Sequence, residues 1–316
     1  MHPAFSVIFF TTASGAGYGL LFLVAIANAL GFVPSSGWFA FATLGAATAL
    51  IVSGLLASTF HLGHPERAWR ALSQWRSSWL SREGVAALAT FVPLSVFGIA
   101  WTFFGRTQGG FAIAGLVAAL GAALTVFTTA MIYRSLRTIR QWHNCWVVPN
   151  YLAHALSTGA LLLHLAAQIF GRPQAIVGVF AIIAVLLAAF AKSRYWNFID
   201  TTKSASTPES ATGLGARGKV RLLDPPHETE NYLQKEMGFR IARKHAAKLR
   251  TMVRWFAFAF PAALTILSLV FPGRPLGMAL AFLAALFALA GTLVERWLFF
   301  AEARHAVTLY YGAREI

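Results

Sequence analysis

Apolar runs of about twenty residues recur along almost the whole chain, and a helix of that length crosses a bilayer. They lie near residues 7–30, 38–60, 84–104, 111–133, 147–170, 174–191, 253–271 and 276–300. Of the 316 residues, 57% are hydrophobic and only 12% are charged, whereas a soluble domain carries roughly a quarter charged residues. The sequence therefore predicts an all-α integral membrane protein, a single polytopic domain with a bundle of about eight transmembrane helices.

The connections between these runs differ in length and in charge. Four of them are short turns that together contain three arginines: 31–37, 105–110, 171–173 and 272–275. The other 23 of the 26 Lys and Arg residues lie in longer connections, at the adjoining ends of the spans and in the C-terminal tail. Because the cytoplasmic side of a membrane protein is the basic side, we expect an N-in, C-in orientation. The long loop 192–252 is then cytoplasmic.

The net charge of +15 does not indicate a nucleic-acid-binding protein, because the charges lie between spans rather than along one groove. The basic residues are better explained by binding to a membrane surface with anionic lipid or to an acidic protein partner. Cys145 is the only cysteine, which excludes an intrachain disulfide and any cysteine cluster for a metal or an iron–sulfur centre. We expect no metal in this chain.

Two ionisable residues stand at the ends of one basic loop, and such residues at membrane depth mark functional sites by default. His61 ends the second predicted span and Glu83 begins the third, so both are expected at the same interface. Ordinary helix chemistry is the alternative for each of them. His61 would cap free carbonyl groups at a helix C-terminus, and Glu83 would sit in a first turn that Ser81 caps.

Two histidines lie inside the fifth predicted span. His154 and His164 are ten residues apart, so they point to different faces of a helix, and no other span offers a partner at mid-membrane. We therefore expect no haem. His154 lies beside Asn150 and Tyr151 and is expected to line a polar cavity, while His164 is expected to be a hydrogen-bonded packing residue.

Two segments resemble a known family. HPAFSVIFFTTASGAGYGLLFLV near the N-terminus and FHLGHPERAWRALSQWRSSWLSREG at residues 60–84 are similar to the membrane-anchor subunits of DMSO-reductase-type molybdoenzymes, the DmsC-like family. The HLG-x-P-x-R-A segment followed by L-S-x-E is the most specific part. The long loop, with RLLDPP and NYLQKEMGFRIARKHAAKLR, is similar to the sulfite dehydrogenase (quinone) branch of that family.

The resemblance implies a membrane anchor in the bacterial cytoplasmic (inner) membrane that binds a quinone, menaquinone or ubiquinone. It implies two partners, an iron–sulfur (ferredoxin-like) subunit and a molybdopterin catalytic subunit that handles DMSO, sulfite or another substrate. The histidine of HLG and the glutamate of L-S-x-E correspond to His61 and Glu83. His64, Arg67 and His154 complete the predicted quinone site.

Two other functions stay open at this point. A proton-translocating subunit of the polysulfide-reductase type would need a chain of acidic groups across the bilayer, and we expect no Asp or Glu deep in any span. A transporter would favour internal repeats and broken helices with charge at the midplane, and the sequence indicates neither.

Overall fold

The computed structural model describes residues 3–60, 62–171, 173–202, 204, 206–224, 229, 231, 237 and 241–314. Within these ranges, eight helices are long and apolar enough to cross a membrane, and the described chain forms no β-strand. The predicted all-α fold with about eight transmembrane helices is confirmed. The orientation of the bundle in the membrane stays a prediction.

The first six spans are α1 (Phe5–Ala29), α2 (Gly37–Thr59), α3 (Trp79–Phe104), α4 (Gly110–Arg134), α5 (Val147–Ile169) and α6 (Ala175–Thr201). A 3-10 helix, Pro65–Gln74, precedes α3, and a short helix α7 (Pro208–Thr212) follows α6. The seventh span consists of α8 (Ile241–Val253), a π-helical turn (Arg254–Ala259) and α9 (Phe260–Val270). The eighth is α10 (Pro275–Ala301).

The helices run up and down, so the bundle has two unlike ends. At the short-turn end the amide of Asn28 donates to the carbonyl oxygen of Thr107 (3.4 Å), which joins the end of α1 to the connection between α3 and α4. At the basic end, which carries the long connections and the C-terminal tail, Arg250 Nη1 donates to Asp200 Oδ2 (2.7 Å). Ile139 and His305 pair through their backbones at the same end.

Helix α1 lies at the centre of the bundle and packs against α2, α4, α5 and α10. Small residues make this possible, because helices in a membrane approach closely only where side chains are short. A Cβ atom at Gly19 would lie 1.8 Å from the carbonyl oxygen of Ala155, and one at Gly159 would lie 2.2 Å from the carbonyl carbon of Gly19. The backbones of α1 and α5 therefore touch at these two glycines.

Three helix boundaries differ from the sequence prediction. The seventh span is already helical at Ile241, whereas its apolar run begins at residue 253. Helix α6 continues to Thr201, whereas the apolar run predicts its end at residue 191, because Lys192 ends the apolar run without ending the helix. Helix α3 begins at Trp79 with Ser78 as its N-cap, whose hydroxyl oxygen accepts from the Ser81 backbone N–H (3.4 Å). The prediction that Ser81 is the cap is wrong, and Glu83 lies in the second turn.

We predict that Gly19→Ala destabilises the bundle although alanine is the better helix former, because the added methyl group collides with the α5 backbone. Overpacking of this kind costs about 1–3 kcal/mol. The measurement is chemical unfolding in mixed detergent micelles. Gly45→Ala is the matched control, since a Cβ there meets nothing within 4 Å, and it should leave stability unchanged or slightly higher. Equal stability of the two variants would contradict the contact.

Candidate functional site

Glu83 is held inside the bundle, with only 4% of its surface exposed. Its Oε1 atom accepts a hydrogen bond from the hydroxyl of Thr129 on α4. The start of α3 fixes this position, because Ser78 caps the helix and the Ser81 hydroxyl donates to the carbonyl oxygen of Ala71. The carboxyl group therefore points between α3 and α4 instead of lying at an exposed first turn.

Next to this contact lies a small polar space, the inner pocket. It lies between α1, α4, α5 and α10 and has a free volume of about 10 Å³, roughly the space that one water molecule needs. Its polar lining consists of Thr11, Thr12, Ser14, Thr129, Tyr151, His154, Thr158, Thr292 and Arg296. Thr129 thus touches the carboxyl group of Glu83 and also lines the pocket.

A buried group of charges adjoins the inner pocket. Lys192 Nζ on α6 lies 2.5 Å from Glu295 Oε1 on α10, and both side chains are 1% exposed. Arg296 Nε lies 2.7 Å from Glu295 Oε2, and His154 Nε2 lies 3.9 Å from the same oxygen. We call Lys192, Glu295, Arg296 and His154 the buried cluster. With His154 neutral, its two cations and one anion leave one positive charge.

The buried cluster corrects one expectation drawn from the sequence. Glu295 is an acid inside a span, about two turns before the end of α10. The expectation that no Asp or Glu lies deep in any span is therefore wrong in this place. The sequence feature that could have revealed this acid is the adjacent pair Glu295–Arg296 in an otherwise apolar run. Its partner Lys192 is 103 residues away and stands just beyond the predicted end of the sixth span.

Several polar atoms around the inner pocket have no partner within the described chain. Both terminal nitrogens of Arg296 are buried and form no hydrogen bond of standard geometry with a described residue. The same is true of His154 Nε2 and of the Thr12 hydroxyl. Because buried polar groups are normally hydrogen-bonded, these atoms indicate a place for water or for oxygen atoms of a ligand.

The other predicted site residues are placed differently. His64 and Arg67 are mostly exposed and share Glu66 as their ion-pair partner, at 3.1 Å and 3.6 Å. No described contact joins either of these side chains to Glu83. Thr129, in contrast, contacts Glu83 and lines the same pocket as His154. His61 lies outside the described residues.

The second histidine of α5 lies toward the short-turn end. His164 Nε2 is 2.7 Å from the Ser268 hydroxyl on α9, and only 1% of the residue is exposed. Its position is that of a hydrogen-bonded packing residue. Among the described residues, no group of three or more His, Cys, Asp and Glu side chains is placed to hold a metal ion.

A larger space opens at the basic end, and we call it the basic-end cavity. It has a volume of about 690 Å³ and is lined mainly by polar residues, among them Arg140, Asp200, Arg250, Glu302 and Arg304. Burial raises the pKa of Glu302, although Arg250 lies 2.8 Å from its Oε1 atom. Burial and the neighbouring Arg304 lower the pKa of Arg140. The cavity therefore contains both acids and bases in contact with solvent.

The chain is similar to known proteins over its whole length. A family model described as "DMSO reductase anchor subunit (DmsC)" matches residues 1–312. The C subunit of the sulfite dehydrogenase of Allochromatium vinosum is 34% identical over 331 aligned positions, which cover 98% of this chain and 99% of that protein. No solved structure matches the chain. The family resemblance predicted from the sequence motifs is thus confirmed.

The charges of the buried cluster lead to a prediction about stability. Glu295→Gln leaves Lys192 and Arg296 together without their anion, and breaking a buried ion pair costs about 3–5 kcal/mol. Lys192→Met leaves the Glu295–Arg296 pair neutral, so we expect a smaller loss. Lys192→Met/Glu295→Gln retains the net charge of the cluster and should be more stable than Glu295→Gln alone.

Chemical unfolding in mixed detergent micelles measures the free energy of unfolding of the wild type, the two single variants and the double variant. A Glu295→Gln variant at least as stable as Lys192→Met would show that Glu295 does not neutralise the two cations.

Proposed function

The chain belongs to the family of DMSO reductase anchor subunits, and on that premise we propose that it is the quinone-binding membrane anchor of a molybdopterin oxidoreductase. It is a multi-pass membrane protein, and anchor subunits of this family assemble with catalytic subunits. The anchor would exchange electrons between the quinone pool and an iron–sulfur subunit, while the chemistry of the terminal substrate belongs to the molybdopterin subunit.

The observation that carries this proposal is the buried carboxyl group of Glu83 beside the inner pocket. Interconversion of quinone and quinol moves two electrons and two protons, so the protein must exchange protons at the ring oxygens. Glu83 and His154 are suited to that exchange, because a carboxyl group and an imidazole both bind and release protons. No metal ligation is needed for this role.

The donors around the inner pocket fit the oxygen atoms of a quinone. Arg296, Thr12 and His154 present buried polar atoms that lack partners within the described chain, and a carbonyl oxygen accepts hydrogen bonds from such groups. The free volume of about 10 Å³ is too small for a ring. The head group would therefore enter only when lining side chains move. A bound quinone would supply the two-electron chemistry, and these residues would hold its oxygens and move protons.

We propose sulfite as the substrate of the molybdopterin partner. The supporting observation is the end-to-end similarity to the C subunit of a sulfite dehydrogenase, with 34% identity over 98% of the chain. In that case electrons flow from sulfite to the quinone pool. The general family similarity alone would leave DMSO reduction, with the opposite flow, as the alternative.

We place the basic end in the cytoplasm of a bacterial cell, with the iron–sulfur subunit docked over connections 61–83, 134–146 and 192–252. The Lys and Arg bias supports this orientation. Glu83 lies about one turn and His154 about two turns inside the same end, so the proposed quinone site faces the partner that carries the electrons.

The structure gives little support to a polysulfide-reductase-like proton pump. Although Glu295 lies within a span, none of the chain's 11 acidic residues lies in the half of a span nearest the short-turn end. A chain of acids across the bilayer is therefore missing from the sequence. The buried cluster connects to one end of the bundle only.

We predict that Glu83→Gln abolishes most quinone-linked activity without preventing assembly. The variant keeps size and hydrogen bonding but loses the exchangeable proton, and general acid–base groups contribute about 10²–10⁴-fold to rate. The measurement is sulfite-dependent reduction of decylubiquinone by the purified complex, beside sulfite-dependent reduction of ferricyanide, which takes electrons directly from the catalytic partners. We expect only the first rate to fall.

Glu66→Gln is the matched control, because Glu66 is an acid of the same loop region whose side chain is 62% exposed. Because Glu66 lies in a connection that we propose to dock the partner, any effect of this variant should lower both rates together and never the decylubiquinone rate alone. A wild-type decylubiquinone rate in the assembled Glu83→Gln complex would refute the proposed site, and a parallel fall of both rates would assign Glu83 to docking or folding.

The orientation predicts the behaviour of reporter fusions. Alkaline phosphatase, which is active only outside the cytoplasm, should be active after residue 35 or 108, at the short-turn end, and silent after residue 316. Activity at 316 combined with silence at 35 and 108 would invert the bundle and move the docked partners to the other side of the membrane.

A further inference from the structure

We propose that Glu295 and His154, with Glu295 held in place by Lys192, form a proton-transfer relay that joins the basic-end cavity to the inner pocket beside Glu83. This relay rests on the proposed quinone function, because it supplies or removes the protons that quinone chemistry exchanges. It assigns a role to Lys192 and Glu295, the two buried charges that the proposed quinone contacts do not use.

Helix α10 carries two acids along the path that we propose for the proton. Glu302 follows Glu295 by seven residues, which is about two helical turns, so the two acids lie on the same face about 10 Å apart along the axis. Glu302 lines the basic-end cavity, and its Oε2 atom is buried without a hydrogen-bond partner within the described chain. The outer acid is therefore in reach of water, and the inner acid belongs to the buried cluster.

Helix α6 packs beside these two acids and contributes two polar side chains, Lys192 and Tyr195. Lys192 contacts Glu295 at 2.5 Å, and Tyr195, one turn further toward the basic end, packs against Phe299 between Glu295 and Glu302. The Tyr195 hydroxyl is buried and has no hydrogen-bond partner among the described residues. A hydroxyl in this position can accept a proton on one side while it donates one on the other.

On the inner side the connection ends at Glu83. Glu295 Oε2 lies 3.9 Å from His154 Nε2, a separation that a small side-chain movement closes to a hydrogen bond. His154 and Thr129 line the same inner pocket, which has room for roughly one water molecule. Thr129 in turn contacts the carboxyl group of Glu83. Each neighbour in this series can donate or accept a proton.

A purely structural role does not account for the arrangement. Replacing a buried ion pair by apolar residues of similar volume is often neutral or stabilising, so such a pair has no general value for stability. A structural network would also satisfy its polar atoms, whereas Glu302, Tyr195 and His154 each keep a buried atom without a hydrogen bond to the described chain. Glu302 lines the basic-end cavity and His154 lines the inner pocket, so two of these residues stand at the two spaces that the relay joins.

The relay moves protons only, and its own charge is restored after each transfer. When a quinone is reduced, two protons pass inward from the water of the basic-end cavity while two electrons come from the iron–sulfur partner. When a quinol is oxidised, both flows reverse. Lys192 stays protonated and acts as a positioning residue that holds the carboxyl group of Glu295, while Glu295 and His154 carry the proton. Burial raises the pKa of Glu302, which brings its protonation nearer to neutral pH.

The first test uses Lys192→Met/Glu295→Gln in the assembled complex, because this double variant keeps the net charge of the cluster and removes both titratable groups. We expect sulfite-dependent decylubiquinone reduction to fall by about tenfold or more, while ferricyanide reduction stays unchanged. The ratio of rates in H₂O and D₂O should rise, because proton delivery becomes rate-limiting. Formate or imidazole, as a small diffusible proton carrier, should restore part of the lost rate.

The second test compares the two buried histidines of α5. His154→Gln should show the same loss, the same isotope effect and the same rescue. His164→Gln is the matched control, since His164 is equally buried on the same helix but bonds to Ser268 toward the short-turn end. It should retain the wild-type rate. A wild-type rate in His164→Gln would show that loss of a buried imidazole does not by itself lower the rate.

The outcomes separate the relay from the quinone function. If Glu83→Gln is impaired while both relay variants keep wild-type rates and isotope effects, the relay is overturned, and the quinone site stands on Glu83 without His154. A loss of rate without an isotope effect or rescue also overturns the relay, because it assigns the cluster to structure. If the wild-type complex reduces no decylubiquinone, the proposed function fails and the relay fails with it.

Discussion

The absence of water from the hydrocarbon core governs this structure, because a charged group in a span needs an opposite charge within the protein. The buried cluster illustrates the rule. A lysine or a glutamate alone would be costly at this depth, so Lys192 on α6 and Glu295 on α10 meet at 2.5 Å. Their pairing fixes the register of two helices that are far apart in the chain. It also leaves the guanidinium of Arg296 beside the ring of Tyr151, at the wall of the inner pocket.

The fold could be predicted from the sequence because spans are local features. An apolar run of sufficient length predicts a helix without any knowledge of its neighbours. The ends of spans were harder to predict, since a charged residue ends an apolar run without ending a helix. Lys192 shows this, because α6 continues past it to Thr201. The start of α3 was hard to predict for another reason. Three serines lie near it, each of them a possible N-cap, and the structure uses Ser78.

The candidate site could be predicted only in part. Glu83 was identified from the family motif and His154 from its position in the fifth span, and their roles stay predictions. In the structure His154 lines the inner pocket, and Glu83 contacts Thr129, which lines the same pocket. His64 and Arg67 stand in the same motif, yet their side chains are exposed and pair with Glu66. The Lys192–Glu295 contact was missed because it joins residues 103 positions apart, and no local periodicity encodes such a pair.

The central position of α1 affects how the chain is made. Gly159 follows Gly19 by 140 residues, so at about 5–20 residues per second α1 waits on the order of ten seconds for its α5 partner. During that time its polar face has no neighbour from α5 or α10. Two hydroxyls of this face do not need one, because Ser14 donates to the carbonyl oxygen of Phe10 (2.6 Å) and Thr11 to that of Val7 (3.0 Å). Hydroxyl groups that bond to their own helix can remain in lipid until the partner helices are synthesised, and Thr11 and Ser14 then line the inner pocket of the finished protein.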